Sequence, residues 1–299
     1  MVIKMLIYSL ILITLALSAA SQILSKKFQL GVKNDISTMV GMNIVNAIFG
    51  IVYFLFLCKF NIEMNITTLV FSALYALLVI NSLTIGVVAL SKMSILMMSV
   101  VAMAGNVCGS VVIGRIFFDE KITANGIMAV IALLSAVIIP YIGDAELKRG
   151  RTSIPVAIWC FVSNGITGTF LKFYTENENT LHSNNLFFMT NVFCLIFCAM
   201  FAIICMCISS KNQERFSFKS LGIKGVANIG ARTAISNISS IISVIVIASM
   251  PISVYTIITS ALGLILNTFL AKILFAEDLK LKNYIALVLA VFSVVIGAI

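Results

Sequence analysis

The chain has 299 residues, of which 61% are hydrophobic and only 10% are charged, and its mean hydropathy is +1.13. No soluble domain of this size needs so much apolar surface, so the composition excludes a soluble protein and indicates one whose solvent is a lipid bilayer. The net charge of +9 is carried by lysines and arginines between apolar runs, where basic side chains anchor helix ends at an anionic membrane surface. Nucleic acid is therefore not an expected partner.

Apolar runs long enough to cross a bilayer of about 30 Å recur along the whole chain. They fall near residues 5–24, 37–58, 66–90, 93–113, 124–142, 154–173, 185–208, 222–247, 252–275 and 283–299. Because an open strand could not satisfy its backbone hydrogen bonds in lipid, these runs predict an all-α integral membrane protein with ten transmembrane helices. The first run could pass for a signal peptide, but Lys26, Lys27 and Lys33 follow it, which is the reverse of a secretory signal.

The second half of the sequence repeats the first. Residues 90–142 align without a gap to 247–299, which places RIFFDE at 115–120 over KILFAE at 272–277. This self-similarity predicts two copies of a five-helix unit, residues 1–145 and 146–299. Because five is odd, the second copy enters the membrane from the opposite side, and such inverted repeats are typical of secondary transporters with alternating access.

Ten helices in two copies, with a basic residue five positions before a glutamate that ends the fourth helix of each copy, resemble the drug/metabolite transporter superfamily and its EamA-like members. The motif residues are Arg115 and Glu120 in the first copy and Lys272 and Glu277 in the second. The resemblance covers essentially the whole chain. It implies a carrier that moves small metabolites or drugs through a cavity between the two copies.

The sequence lacks the motifs of an enzyme or an ATP-driven pump. It holds no G-x-x-x-x-G-K-[ST] nucleotide-binding loop, and its only histidine, His182, lies in a polar connection. The seven cysteines show no spacing typical of a metal site, and all eleven acidic residues lie in loops or at helix ends. We therefore expect no catalytic residue, no metal and no cofactor.

A stripe of polar residues runs along the eighth predicted span. Asn228, Arg232 and Ser236 are followed by Ser239 and Ser243 at helical spacings of three or four. An arginine at mid-helix costs roughly 2.5–3.5 kcal/mol on an insertion scale, so this stripe is expected to face protein or water rather than lipid. We expect Arg232 to bind the anionic part of a solute. The alternative is that its side chain snorkels to the nearer helix end or hydrogen-bonds helix carbonyls.

Other polar residues are expected to line the same cavity. Tyr75 aligns with Arg232 in the repeat and is predicted to oppose it across the pseudo-twofold axis. The remaining candidates lie on the first, sixth and ninth spans and are Gln22, Asn164, Thr167 and Tyr255. Each of these alone could instead form an interhelical hydrogen bond. Gly105 and Gly109 on the fourth span predict a packing face between helices of the two copies, and Glu120 is expected to pair with Arg115, Lys121 or Lys272.

Taken together, these features predict a transporter, exporting by resemblance, of small metabolites such as amino acids or organic anions. The alternatives are a flippase for lipids or lipid-linked sugars and a multidrug efflux protein. The expected location is a cell membrane or inner membrane, and a coupling ion and a monomeric or homodimeric state are left open. The positive-inside rule favours both termini outside, whereas the resemblance implies cytoplasmic termini.

Overall fold

The apolar runs fold into helices, which satisfy their own backbone hydrogen bonds. The structure is a computed structural model that describes residues 2–32, 35–92, 95–121, 123–139, 153–177, 179–211, 221–275 and 281–298. Its helices are α1 (Val2–Gly31), α2 (Ile36–Leu57), α3 (Ile66–Lys92), α4 (Ile95–Phe117), α5 (Ala124–Ile138), α6 (Ser153–Thr175), α7 (Ser183–Lys211), α8 (Gly222–Ser249), α9 (Ile252–Phe275) and α10 (Leu281–Ala298). No strand occurs in these ranges.

Eight of these helices, all except α5 and α10, are long and apolar enough to cross a membrane. The other two contain shorter apolar stretches, Ala124–Ala136 and Tyr284–Ser293. The prediction of an all-α, multi-pass membrane protein is therefore confirmed. Helix α1 packs along α8, so the segment that could pass for a signal peptide is an integral part of the bundle.

Short polar side chains set where several helices begin. The Asp35 carboxylate accepts a hydrogen bond from the Thr38 backbone N–H at the start of α2, and the Thr123 hydroxyl accepts one from Gly126 at the start of α5. Such caps satisfy backbone donors that have no partner within the helix. Helix α8 ends at Ser249, where Met250 is extended and Pro251 follows, because the residue before a proline disfavours helical geometry.

The helix bundle has two ends, and each is named after a helix connection that lies there: the α1–α2 end and the α6–α7 end. At the α1–α2 end, Lys26 of α1 donates to the carbonyl of Leu90 near the end of α3 at 3.1 Å. At the α6–α7 end, Lys172 of α6 donates to the carbonyl of Ile247 near the end of α8 at 3.3 Å. The α6–α7 end also carries the termini of α2 and α4 and the starts of α3 and α9.

Helices α4 and α6 pack closely along their length. A Cβ at Gly105 would collide with the carbonyl oxygen of Phe161, and a Cβ at Gly109 would lie 2.6 Å from the carbonyl oxygen of Gly165. Toward the α6–α7 end, the Phe173 ring contacts the rings of Phe117 and Phe118 at centroid distances of 5.2 and 4.9 Å. The predicted glycine packing face between the first and second halves of the chain is confirmed.

Helix α1 leans instead on α8 and contacts α9 over only a short stretch. Its Phe28 is buried together with Leu221 and Ile229 of α8, and its ring lies 3.7 Å from a Cβ built at Gly225. The end of α1 and the start of α8 therefore share one end of the bundle.

Candidate functional site

A cavity of about 430 Å³ lies between α1, α4, α6, α8 and α9, with one contribution from α3. Its lining is mostly hydroxyl and amide side chains. Five of the eight predicted site residues line it, namely Gln22, Tyr75, Asn164, Thr167 and Tyr255. The polar stripe of α8 also reaches the cavity through Ser239 and Ser243.

Ser236 lines a smaller neighbouring chamber of about 170 Å³. This chamber shares Tyr75 and Thr167 with the main cavity, so the two spaces lie on either side of these side chains. Its wall includes Asn46 of α2 and Asn191 of α7, and the Asn191 amide occupies the space that a Cβ at Gly50 would fill. Ser236 is thus placed beside the main cavity.

Arg232 and Asn228 lie further toward the start of α8 and line neither of these spaces. The Arg232 guanidinium is 3.9 Å from the sulfur of Met42 on α2 and forms no ion pair within the described ranges. Asn228 has a buried amide oxygen without a hydrogen-bond partner in this part of the chain. Tyr75, the predicted counterpart of Arg232, stacks on Phe170 at a centroid distance of 5.4 Å. The role of Arg232 as a solute ligand stays a prediction.

The sequence analysis missed several residues that line the cavity. They are Thr14 on α1, Ser99 and Asn106 on α4, and Thr256 and Ser260 on α9. A signal was present on α9, where Thr256, Ser260 and Asn267 recur at spacings compatible with one helix face. A comparable signal was present on α4, where Ser99, Asn106 and Ser110 recur at spacings of seven and four that also suit one helix face.

Near the α1–α2 end, hydrogen bonds join lining side chains from different helices. The Ser99 hydroxyl donates to the Gln22 amide oxygen at 3.1 Å and accepts from the Asn267 amide nitrogen at 3.1 Å. This chain joins α1, α4 and α9 around the cavity. Nearer the α6–α7 end, the Tyr255 hydroxyl donates to the Ser243 hydroxyl at 3.1 Å and joins α9 to α8.

The cavity ends in a closed floor toward the α6–α7 end. Leu171 and Ile247 form part of this floor, and the buried Lys172 lies beside them, held by Glu176 at 2.7 Å. Around it, Tyr75 and Phe170 continue into a stack of aromatic rings through Phe71. These apolar side chains and the α4–α6 contact pack around the cavity at this end.

Glu120 reinforces the same closure. Its carboxylate accepts hydrogen bonds from the backbone N–H of Ile252 at 2.8 Å, from the backbone N–H of Ser253 at 3.3 Å and from the Ser253 hydroxyl. It therefore caps α9 in the second half of the chain. The expected pairing of Glu120 with Arg115 is wrong, because Arg115 contacts Asp119 at 3.6 Å and the N-terminus of α9 offers Glu120 several donors.

The corresponding motif of the second half is only partly described. Lys272 donates to the Tyr284 hydroxyl at 3.0 Å, and its ammonium lies 5.7 Å from the centre of that ring. Glu277 lies outside the described residues. Within the described ranges, no group of three His, Cys, Asp or Glu side chains could hold a metal ion.

Comparison with known proteins shows the fold of this chain. No family model matches the sequence, and no curated protein matches it. Among solved structures, 28 chains match. One of them, a crystal structure of a protein, has a TM-score of 0.60 and 14% identity, with 98% of this chain and 96% of the other covered. At this identity the likeness shows a shared fold, and it extends over nearly all of both chains.

Proposed function

We propose that the chain is a secondary transporter, exporting small metabolites through the central cavity, and a member of the drug/metabolite transporter superfamily. In this proposal all ten helices cross a cell membrane, and residues 1–145 and 146–299 form two inverted repeats. The boundary between the repeats lies outside the described residues. The proposal rests on the cavity, its closure at one end, and the relation between that closure and the repeat in sequence.

The helix contacts support the repeat. Exchanging the two copies maps α1 to α6, α2 to α7, α3 to α8, α4 to α9 and α5 to α10. Under this exchange, the α2–α7, α4–α9 and α5–α10 contacts each map onto themselves, and α1–α8 maps onto α6–α3. All five contacts are extensive. Such an arrangement is expected of two similar units around a pseudo-twofold axis.

The largest departure from this symmetry is at one interface, and it is the observation that carries the proposal. The close α4–α6 interface maps onto an α9–α1 interface that is short. In the alignment of 90–142 with 247–299, Gly105 and Gly109 correspond to Leu262 and Leu266. The α4–α6 interface thus closes the cavity at the α6–α7 end. At the α1–α2 end, the corresponding helices α9 and α1 stand further apart.

This asymmetry is what alternating access requires. A solute enters from the α1–α2 end and binds between the two halves. Helix α1 then closes on α9, α4 separates from α6, and the Glu120 cap is released. These movements expose the cavity at the α6–α7 end. No nucleotide site is needed, because the driving force is the gradient of the solute or of a coupling ion.

A matched pair of neighbouring residues on α6 tests the proposal. Thr167 lines the cavity, whereas Ile166 is 45% exposed on the outer surface of the bundle. Purified protein in liposomes is assayed by counterflow with labelled amino acids, organic anions, sugars and nucleosides. We expect Thr167→Trp to block exchange and Ile166→Trp to leave it near the wild-type rate.

The sequence-based alternatives are outcomes of the same experiment. If no solute exchanges while a fluorescent lipid scrambles between leaflets, the chain is a flippase and the transport proposal fails. If instead exchange extends to large apolar cations and is insensitive to Thr167→Trp, the multidrug alternative replaces transport through this cavity.

A further inference from the structure

Within the described ranges, the lining of the central cavity carries no charged side chain. Sixteen of its 26 lining residues have a hydroxyl or amide group, and none is Lys, Arg, His, Asp or Glu. We infer, on the basis of the proposed transport function, that this cavity binds an uncharged solute rich in hydroxyl groups, of the monosaccharide, polyol or nucleoside class.

Three basic residues on the cavity-forming helices are directed elsewhere, and no basic residue of the described ranges lines the cavity. Lys172 is held by Glu176 and by the carbonyl of Ile247, and Lys26 donates to the carbonyl of Leu90. Arg232 points at Met42 on α2. A carboxylate or phosphate entering the cavity would lose its hydration without gaining a counter-charge, which strongly disfavours its binding. An uncharged solute meets no such penalty.

Many lining groups are left as hydrogen-bond acceptors. The hydroxyls of Thr14, Thr167 and Thr259 donate to carbonyls one turn earlier in their own helices, at 2.8 Å each, so their oxygens remain able to accept. The Asn164 amide nitrogen likewise donates to the Cys160 carbonyl at 2.7 Å, which leaves its amide oxygen for a solute. A solute that fits must therefore donate hydrogen bonds, which a carboxylate cannot do.

Four lining side chains can both donate and accept hydrogen bonds. Asn106, Ser18, Ser239 and Ser240 line the cavity and have no hydrogen-bond partner within the described ranges. They come from α4, α1 and α8, so they approach a bound solute from three sides. A hydroxyl group donates one hydrogen bond and accepts two, and it matches this mixture of acceptors and dual-function groups.

The volume of the cavity fits an uncharged, hydroxyl-rich solute of this size. Its volume of about 430 Å³ lies toward the lower part of the range of roughly 300–1,000 Å³ found for small-molecule sites. Tyr75 supplies an aromatic wall that is fixed by stacking on Phe170. A single sugar, polyol or nucleoside fits these dimensions.

The test uses the full-length protein in liposomes and three pairs of labelled probes. Glucose and myo-inositol are compared with glutamate and succinate, and uridine is compared with lysine. We expect counterflow of at least one uncharged probe and at least tenfold slower exchange of every charged one. Faster exchange of glutamate, succinate or lysine would overturn the inference while leaving the transport proposal intact. If none of the probes moves, the transport proposal fails and the inference fails with it.

Single substitutions further distinguish an uncharged solute from a charged one. Asn106→Asp adds a negative charge to the cavity without changing its shape, and Asn61→Asp adds the same charge in the exposed α2–α3 connection. We expect the first to slow exchange of the uncharged probe at least tenfold and the second to leave it unchanged. Arg232→Gln should also leave it within twofold, whereas a loss of tenfold or more would show that Arg232 takes part in solute binding and would overturn the inference. Thermal melting of each purified variant shows that it is folded.

Discussion

At the scale of single residues, Glu120 joins the two halves of the chain. It follows α4 in sequence, yet its carboxylate caps α9 through the backbone N–H groups of Ile252 and Ser253. The first N–H groups of a helix have no partner within the helix and carry a partial positive charge, so a carboxylate is well suited to this position. Because α9 lines the cavity, Glu120 also stabilises the closed floor.

We therefore expect Glu120→Ala to lower the free energy of unfolding by about 1–3 kcal/mol, the range for losing a cap and a charged hydrogen bond. Glu120→Gln, which keeps one acceptor oxygen, should lose less. Thermal unfolding of the detergent-solubilised protein measures both. Glu63→Ala is the control, since Glu63 lies exposed in the α2–α3 connection. Equal melting temperatures for Glu120→Ala and the wild type would contradict the capping role.

At the scale of helices, the α4–α6 interface depends on two glycines of α4, which have no side chain to separate the helices. Gly105 and Gly109 allow the backbone of α4 to touch that of α6 at Phe161 and Gly165. In a membrane, helices associate through such close van der Waals contact, because lipid provides no hydrophobic driving force between them. Toward the α6–α7 end, the same interface continues into the contacts of Phe173 with Phe117 and Phe118.

Gly105→Ala should separate the two helices and cost about 1–3 kcal/mol of stability, as overpacking commonly does. It should also raise the labelling rate of a cysteine placed at Leu171 by a membrane-impermeant thiol reagent applied at the α6–α7 end. Gly86→Ala on α3 is the matched control, because nothing lies within 4 Å of a Cβ at that position. Similar labelling in the two variants would show that the glycine contact does not hold the floor closed.

At the scale of the whole molecule, the difference between α4–α6 and α9–α1 suggests how the resting state is set. The leucines at 262 and 266 are partly buried in the core near α1, where the aligned residues of α4 are glycines. We expect their bulk to keep α1 and α9 from approaching as closely as α4 and α6. In the proposed transport cycle, this difference would favour the state that opens at the α1–α2 end.

The double change Leu262→Gly and Leu266→Gly should bring α1 closer to α9 and shift the population toward the state that opens at the α6–α7 end. We expect slower thiol labelling of Ser18→Cys from the α1–α2 end in this background. As a control, Phe269→Gly removes a side chain of similar size that is 57% exposed on the outer surface of α9. Faster labelling in the double variant would contradict this account.

The arrangement of the connections gives a further prediction about the whole molecule. Single cysteines replacing Gly31 and Ile223 should react from one side of the membrane, because Phe28 near the end of α1 contacts Leu221 and Gly225 at the start of α8. Cysteines replacing Asn61 and Asn179 should react from the other side. The seven native cysteines are first removed. Labelling of Gly31→Cys and Ile223→Cys from opposite sides would mean that the number of spans between them is odd.

Several features could be predicted from the sequence because they depend on local chemistry. The apolar runs determine helices, since no other backbone structure satisfies its hydrogen bonds in lipid. The spacing of Gly105 and Gly109 predicted a packing face, and polar spacing on α1, α6 and α9 predicted Gln22, Asn164, Thr167 and Tyr255, all of which the fold brings to one cavity.

Other features are decided only by the tertiary structure. The sequence shows that Arg232 is charged and lies within a span, but its direction follows from the rotation of α8 against α1 and α2, which turns the side chain to Met42. Glu120 meets the start of α9, more than 130 residues away, through a geometry that no local pattern contains. Asn106 and Ser99 reach the cavity because α4 is drawn against α6. Helix formation is local, whereas the direction of each side chain is fixed by packing between segments that are distant in sequence.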